Sequence, residues 1–428
     1  MAARNVLVAQ SGGPSPVINA SLRGIIEGCR ASRAFGKLYA AANGVEGLLR
    51  EELLDLSAAL AREVELLSAT PAAGVIGTCR YKLRSANQQD FERVIAVLQA
   101  HEVGYLFYIG GNDSMDTANK IADLAHQRGP DLVAVGVPKT IDNDLGDQAF
   151  QLLDHSPGYG SCARYWALTV QQADQENRGS FPADPVLVLQ AMGRRIGFIP
   201  AAARLADPQR ELPMLLLLPE SSYTLPELAD LINDTLRRAG RAIVVLSEGL
   251  DLGSLGERQD AFGHTQFSSS ASTAAQLLVN YLNQAGLAAR GSARANIPGT
   301  QQRHDIVYAS TVDLAEARAV GQQAAGLAAQ HISGKMASLV RTSDAPYTVR
   351  YTSVPLGEMA NSERTFPKEW IDRDHCDVTD DFIRYAQPLL GDGWPEVILE
   401  HGRLRFAELG AQQVRQVLEV YTPQDYRK

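Results

Sequence analysis

Asn5-Val6-Leu7-Val8-Ala9-Gln10, running into Ser11-Gly12-Gly13-Pro14-Ser15-Pro16, is the stretch on which the fold class turns. A short continuous apolar run that stops on a Gly-Gly turn predicts a buried strand and a tight turn, and residues 17–30 then carry apolar side chains at helical spacing. The unit reads strand, turn, helix. It recurs where residues 104–109 (GYLFYI) end at Gly110-Gly111 and Met115, Ala118, Ile121, Ala122 and Ala125 share one helical face. Further strand-like runs lie at 132–137, 186–190, 214–218 and 242–246, alternating with helical stretches at 225–238 and 273–282. Such alternation predicts an α/β architecture with mostly parallel sheets.

Residues 145–184 are richer in Gly, Ser and Asp and show no clear strand, so a lobe boundary is expected there. A second break is expected around 291–305, which is polar and Arg-bearing. Beyond 341 the pattern loosens, with 347–354 strand-like and 379–387 helix-like. The chain therefore reads as two α/β lobes and a C-terminal extension: residues 1–157, residues 158–309, a returning segment 310–360, and an extension 361–428 with no assigned role.

Composition narrows the function classes. The 428 residues are 45% hydrophobic and 21% charged, which excludes a disordered chain, and no uncharged apolar run approaches the ~18 residues a membrane helix needs. The net charge of -9 disfavours nucleic acid or an anionic membrane as the main partner, since both need basic fields. Cys29, Cys79, Cys162 and Cys376 have no metal-knuckle or disulfide-framework spacing, so a reducing cytoplasmic setting is expected.

In open α/β sheets ligands bind beyond the carboxyl ends of the strands, and the chemistry-bearing segments of this chain fall there. Ser11-Gly12-Gly13 brings backbone N-H groups and a helix start toward an anion, or is simply a turn. Gly110-Gly111-Asn112-Asp113-Ser114 repeats that design with an amide and a carboxylate; Asp113 could face a hydrated cation or cap a helix beginning at Ser114 or Met115. Pro138-Lys139-Thr140-Ile141-Asp142-Asn143-Asp144 is the most informative. A cation, a hydroxyl and two carboxylates at i and i+2 can divide proton transfer and metal contact, as metal-assisted phosphoryl transfer requires. Met192-Gly193-Arg194-Arg195 follows another strand and offers an arginine to phosphate. Ser247-Glu248-Gly249 presents one carboxylate, suited to sugar hydroxyls, and Arg294, Arg303 and His304 flank the Pro298-Gly299 turn. The dinucleotide-like pattern from Gly158 to Ala163 follows no strand, and P-loop, zincin and serine hydrolase motifs are absent from the sequence.

In this order, the Ser-Gly-Gly turn, the Gly-Gly-x-x-Ser turn, Pro-x-Thr-Ile-Asp-Asn-Asp, Met-Gly-Arg, Ser-Glu-Gly and the late Gln-Arg resemble the phosphofructokinase family, over roughly residues 5–340. The resemblance implies two Rossmann-like lobes, the first for the phosphoryl donor and the second for fructose 6-phosphate. Asp113 and Lys139 stand where ATP users carry Gly and a small residue, and are similar to the pyrophosphate-dependent branch. A carboxylate at Asp113 would repel a nucleotide α-phosphate, while Lys139 supplies positive charge to a short donor. The implied reaction is reversible transfer from pyrophosphate to the 1-hydroxyl of fructose 6-phosphate, with Mg2+.

By the same resemblance Asp142 is the base, Lys139 and Asp113 act with it, and Gly13 and Arg80 lie along pyrophosphate. Asn112 and Asp144 lie near magnesium. Thr140, Ile141, Met192, Gly193, Arg194, Glu248, Arg294, Thr300 and Arg303 position the sugar phosphate. A cytoplasmic homo-oligomer, a dimer before a tetramer, is expected. The chain departs from ATP types in having Asn112 for Asp, Pro185 for an inter-subunit arginine and Thr300 for His. The alternatives are an ATP-dependent 6-phosphofructokinase, a sedoheptulose 7-phosphate kinase homologue, or a non-catalytic sugar-phosphate-binding regulatory subunit.

Overall fold

A computed structural model describes residues 3–84, 86–128, 131–252, 258–259, 265–266, 273–360 and 362–427. The chain divides into two compact units. The first comprises residues 1–158, 311–364 and 392–428, and the second residues 159–310 and 365–391. The residues expected as one C-terminal extension are thus divided between the two.

The first unit is built on an eight-stranded sheet. Its order is Tyr347–Pro355, Lys335–Asp344, Val133–Pro138, Val103–Gly110, Arg4–Gln10, Phe35–Ala41, Leu53–Asp55 and Gln412–Gln413. The strands from Lys335–Asp344 to Phe35–Ala41 pair in parallel, and the flanking pairs are antiparallel. Val6, Leu7, Val8 and Ala9 are fully buried, as a central parallel strand covered on both faces must be. The second unit has a four-stranded parallel sheet in the order Ala293–Asn296, Val186–Ala191, Ala242–Ser247, Met214–Leu217. Helices Leu225–Ala239 and Ala274–Ala285 pack Leu228, Ile232, Leu278 and Leu282 against its strands.

The fold class matches the sequence expectation, and the differences lie where burial is partial. Residues 145–184 hold no strand but do hold the long helix Tyr159–Ser180, whose buried face mixes Gly160, Ser161 and Cys162 with Trp166 and Val170, so its apolar period is weak. The expected break at 291–305 contains the parallel strand Ala293–Asn296 and the short 3-10 helix Gly299–Arg303. That strand forms a sheet edge with alternate residues exposed, which reads as polar loop in sequence. The helix after Gly110-Gly111 begins at Asn112, so Asp113 sits inside its first turn rather than capping it.

Helix Ile18–Ala31 lies against helix Thr311–Ala329 at backbone-contact distance. A Cβ on Gly24 would stand 1.9 Å from the Arg318 carbonyl oxygen, and one on Gly321 would stand 2.3 Å from that of Ser21. Only glycine fits either position, and neither backbone can yield independently. Gly24→Val is therefore expected to destabilise the protein by about 3 kcal/mol or more, through forced helix separation, as read by the denaturation midpoint.

Candidate active site

The donor-side segments converge at the carboxyl ends of Arg4–Gln10, Val103–Gly110 and Val133–Pro138. Ser11 N-H donates to the Ile109 carbonyl at 3.0 Å, and Ser11 Oγ lies 2.5 Å from Ser114 Oγ, which locks the first turn to the second. Gly12 adopts φ +82, a conformation that favours glycine, and its N-H donates to the Cys79 carbonyl at 2.9 Å. Cys79 precedes Arg80, so this bond brings the expected pyrophosphate residue beside the Gly12-Gly13 turn.

Lys139 is the centre of this edge. It is 2% exposed, its N-H donates to the Gly110 carbonyl at 2.9 Å, and its ammonium donates to the carbonyls of Gly13 at 2.5 Å and Ser11 at 3.2 Å. A Cβ on Gly12 would lie 3.5 Å from Lys139 Nζ, so the glycine turn leaves the space the ammonium needs. Asp113 is exposed in the first turn of helix Asn112–Arg128 and pairs with Lys82, Oδ2 to Nζ 2.9 Å.

The segment after Lys139 is shaped by its own side chains. Asp142 N-H donates to Thr140 Oγ1 at 3.1 Å, Thr140 bridges to Gly158, and Ile141 is buried as an anchor beneath them. Asn143 is fully buried at φ +57, and its Oδ1 accepts the Ser156 N-H at 2.9 Å. The Asp144 carbonyl accepts the Arg364 N-H at 2.7 Å. The loop is thereby pinned at both ends, with Asp142 half-buried between.

Asn112 Oδ1 is buried and has no hydrogen-bond partner among the described residues, an orphaned acceptor at the start of a helix. Among the described residues no three His, Cys, Asp or Glu groups gather into a metal cage. Magnesium is held by one or two protein oxygens with water and substrate phosphates, so an orphaned amide oxygen and the Asp144 carboxylate fit such an ion.

In the second unit, Met192, Gly193 and Arg194 leave the strand Val186–Ala191, and Glu248 leaves the neighbouring strand Ala242–Ser247. Arg194 holds φ 53, costly for a residue with a Cβ by about 1–3 kcal/mol, and it is retained by bonds on both sides. Its N-H donates to Glu248 Oε1 at 3.4 Å, and its carbonyl accepts from Ser247 Oγ at 2.8 Å. Its side chain is exposed beside the buried Glu248. Gln302 Oε1 accepts from Met192 N-H and from Trp166 Nε1, each at 2.9 Å, which ties the 3-10 helix carrying Thr300 and Arg303 to the Met192 turn.

Arg294 is not brought to this edge. It stands opposite Leu187, and its Nε is 2.7 Å from Asp184 Oδ1. That sets it near the amino end of the strand, roughly 16 Å of extended chain from Met192.

Sequence reading missed Lys82 and His155, and gave no separate role to Gln302 of the late Gln-Arg. Lys82 had a signal, its place in Arg80-Tyr81-Lys82 within a Gly-bearing loop, but its partner is known only from the fold. His155, fully buried next to Ser156, has Nδ1 2.9 Å from Asp154 Oδ2 and Nε2 2.9 Å from Glu316 Oε2. Arg341 donates to Asp154, and Tyr347 Oη donates to Glu316 at 2.7 Å. Burial pushes the imidazole down, but Glu316 and Asp154 outweigh it and raise its pKa to about 10. Burial likewise raises the Asp154 carboxyl, and His155 and Arg341 overcome this to hold it below its usual value.

Two outcomes follow from these contacts. The His155 contribution to stability is complete below its unfolded pKa of about 6.5 and is lost as pH rises through about 10, whereas that of Asp154 is lost on acidification below about 4. Denaturation midpoints measured across pH should therefore fall between pH 7 and 10, with a shallower slope in His155→Gln. Gln302→Leu strands two buried N-H donors and should cost about 2–4 kcal/mol in chemical denaturation.

Comparison with known proteins bears on the same segments. A family model described as Phosphofructokinase matches residues 5–328. The chain is 37% identical over 407 residues to a pyrophosphate--fructose 6-phosphate 1-phosphotransferase of Methylococcus capsulatus, covering 92% of this chain and 94% of that one. It is 36% identical over 430 residues to the protein of that name from Halomonas elongata, covering 98% and 99%. The crystal structure of a pyrophosphate-dependent phosphofructokinase from Nitrosospira multiformis superposes with a TM-score of 0.87 at 33% identity, covering 98% of this chain and all of that one.

Proposed function

Since the chain belongs to the phosphofructokinase family, we propose that it transfers a phosphoryl group from pyrophosphate to the 1-hydroxyl of fructose 6-phosphate, giving fructose 1,6-bisphosphate and phosphate. The observation that carries the donor assignment is Lys139, a buried ammonium held at the Ser11-Gly12-Gly13 turn, with Asp113 exposed in the adjacent helix turn. The named relatives support the same donor.

Asp142 takes the proton from the sugar 1-hydroxyl as the O-P bond forms, and it is held for that by the Thr140 turn and the buried Ile141. Lys139 meets the charge on the transferring phosphoryl and on the departing phosphate, and its fixed position spares the reorganisation that water would need. Gly13 and Arg80 complete the donor cradle. Asp113 repels the α-phosphate that ATP adds to the donor, a like-charge approach that disfavours the nucleotide. Arg194, Arg303, Met192, Gly193 and Thr300 hold the sugar phosphate, and Glu248 accepts from its hydroxyls. Arg294 contributes less directly, given its place near the amino end of its strand.

Asn112 and Asp144 would hold magnesium, which when bound neutralises charge on the donor phosphates. Pyrophosphate and the sugar phosphate are close in phosphoryl potential, so the reaction runs in both directions and suits glycolysis or gluconeogenesis. The proposal also takes in a cytoplasmic location and a homodimer.

Assay of the purified protein with each donor decides the assignment. Turnover with pyrophosphate and little with ATP is expected; the reverse overturns it. Asp142→Asn should lower kcat by roughly 10²–10⁴ with either KM changed only a few-fold, the usual contribution of a general base. Asp113→Gly should raise activity with ATP, and no rise at all would sink the charge filter.

A further inference from the structure

The C-terminal residues had no role in sequence, yet in the first unit they are built into the loop that carries Arg80 and Lys82. Tyr81 lies between those two cations and is 3% exposed. Its hydroxyl donates to the fully buried Asp90 and accepts the Asp425 N-H at 3.3 Å. Its ring packs against that of Tyr426, centroids 5.5 Å apart. Tyr421 Oη donates to the other oxygen of Asp90 at 2.8 Å, and Asn87 Nδ2 donates to Asp425 Oδ1 at 2.9 Å. Asn87 Nδ2 also reaches the Tyr81 hydroxyl at 3.5 Å, so the partners of that hydroxyl are Asp425 itself and two residues, Asp90 and Asn87, that residues 421–425 hold.

We propose that residues 421–426 are a positioning element for the phosphoryl donor: by clamping Tyr81 they fix the direction of its two sequence neighbours, Arg80 and Lys82. This rests on the function proposed above. The path is short. Burial alternates from Cys79 to Arg84, with Cys79, Tyr81 and Leu83 buried and Arg80, Lys82 and Arg84 more open, so fixing the buried middle residue fixes the direction of both neighbours. Arg80 continues from Cys79, whose carbonyl holds the Gly12 N-H at 2.9 Å, and Lys82 reaches Asp113 at 2.9 Å. A loosened Tyr81 therefore disturbs both the phosphate cradle and the counter-ion of the carboxylate that screens the donor. Asp113 would otherwise face an anionic donor without that neighbouring ammonium, so Lys82 lowers the repulsion felt by pyrophosphate itself.

Purified full-length enzyme is compared with Tyr426→Ala, Asp425→Ala and a chain ending at Val420. KM for pyrophosphate, KM for fructose 6-phosphate and kcat are measured, with magnesium pyrophosphate binding by calorimetry. The pyrophosphate KM and dissociation constant should rise about tenfold, the fructose 6-phosphate KM should stay within about twofold, and kcat should fall by less than about threefold. Tyr81→Phe combined with Asp425→Ala should raise the pyrophosphate KM by less than the product of the single effects.

A merely structural tail would move both substrates alike or neither. Equal rises in the two KM values, or an unchanged pyrophosphate KM in Tyr426→Ala and Asp425→Ala, overturn the inference. The point variants keep the question decidable should the truncated chain fail to fold. Wild type in the same assay separates the two levels. No turnover of pyrophosphate by wild type overturns the function and this inference together, whereas wild-type turnover with unchanged variants overturns the inference alone.

Discussion

One buried ammonium organises the donor edge. Removing a lysine from water costs several kcal/mol unless its hydrogens find acceptors, and Lys139 at 2% exposure donates to the Ser11 and Gly13 carbonyls. Those carbonyls are available because the first strand ends in a glycine turn with φ +82 at Gly12, and because no Cβ occupies the space in front of it. The third parallel strand must in turn end where Lys139 can donate its own N-H to Gly110. Strand register, turn geometry and the placement of the cation are therefore a single constraint, and the Ser11 to Ser114 hydroxyl contact extends it to the helix that bears Asn112 and Asp113.

The sugar-side edge in the second unit follows a different logic. There the parts are held by backbone strain and a shared amide. Arg194 stays in a left-handed conformation because Ser247 and Glu248 bind its two peptide groups, while Gln302 binds Met192 and Trp166 at once. Behind the donor loop, the ionic cluster of His155, Asp154, Glu316 and Arg341 stands next to the Ser156 to Asn143 bond that pins the reactive segment. Both arrangements place polar groups out of water with their partners supplied, which favours one loop conformation over its neighbours.

Much of this was legible in the chain. The continuous apolar runs gave six strands close to their final bounds, because a strand buried on both faces has no freedom to be polar. The strands Ala293–Asn296 and Phe35–Ala41 were not seen, since each exposes part of its length to water and so carries a mixed pattern. The glycine turns and the Lys139 to Asp144 segment read as a ligand edge from their position after strands, and the fold gathers them at the carboxyl ends of neighbouring parallel strands. Arg294 shows what register adds: its pairing opposite Leu187 and its contact with Asp184 set it near the amino end of its strand, which its place beside a turn does not reveal.

The sequence by itself determined the α/β class, the parallel sheets and the residue types at the donor edge, because apolar periodicity and glycine turns are local properties of the chain. Tertiary structure alone decided that Lys82 faces Asp113, that Gln302 joins two segments, and that the chain end grips Tyr81. These contacts join residues from 31 to 344 positions apart. No local pattern encodes such a pairing; it exists only once burial has brought the segments together and left each polar group to find its partner there.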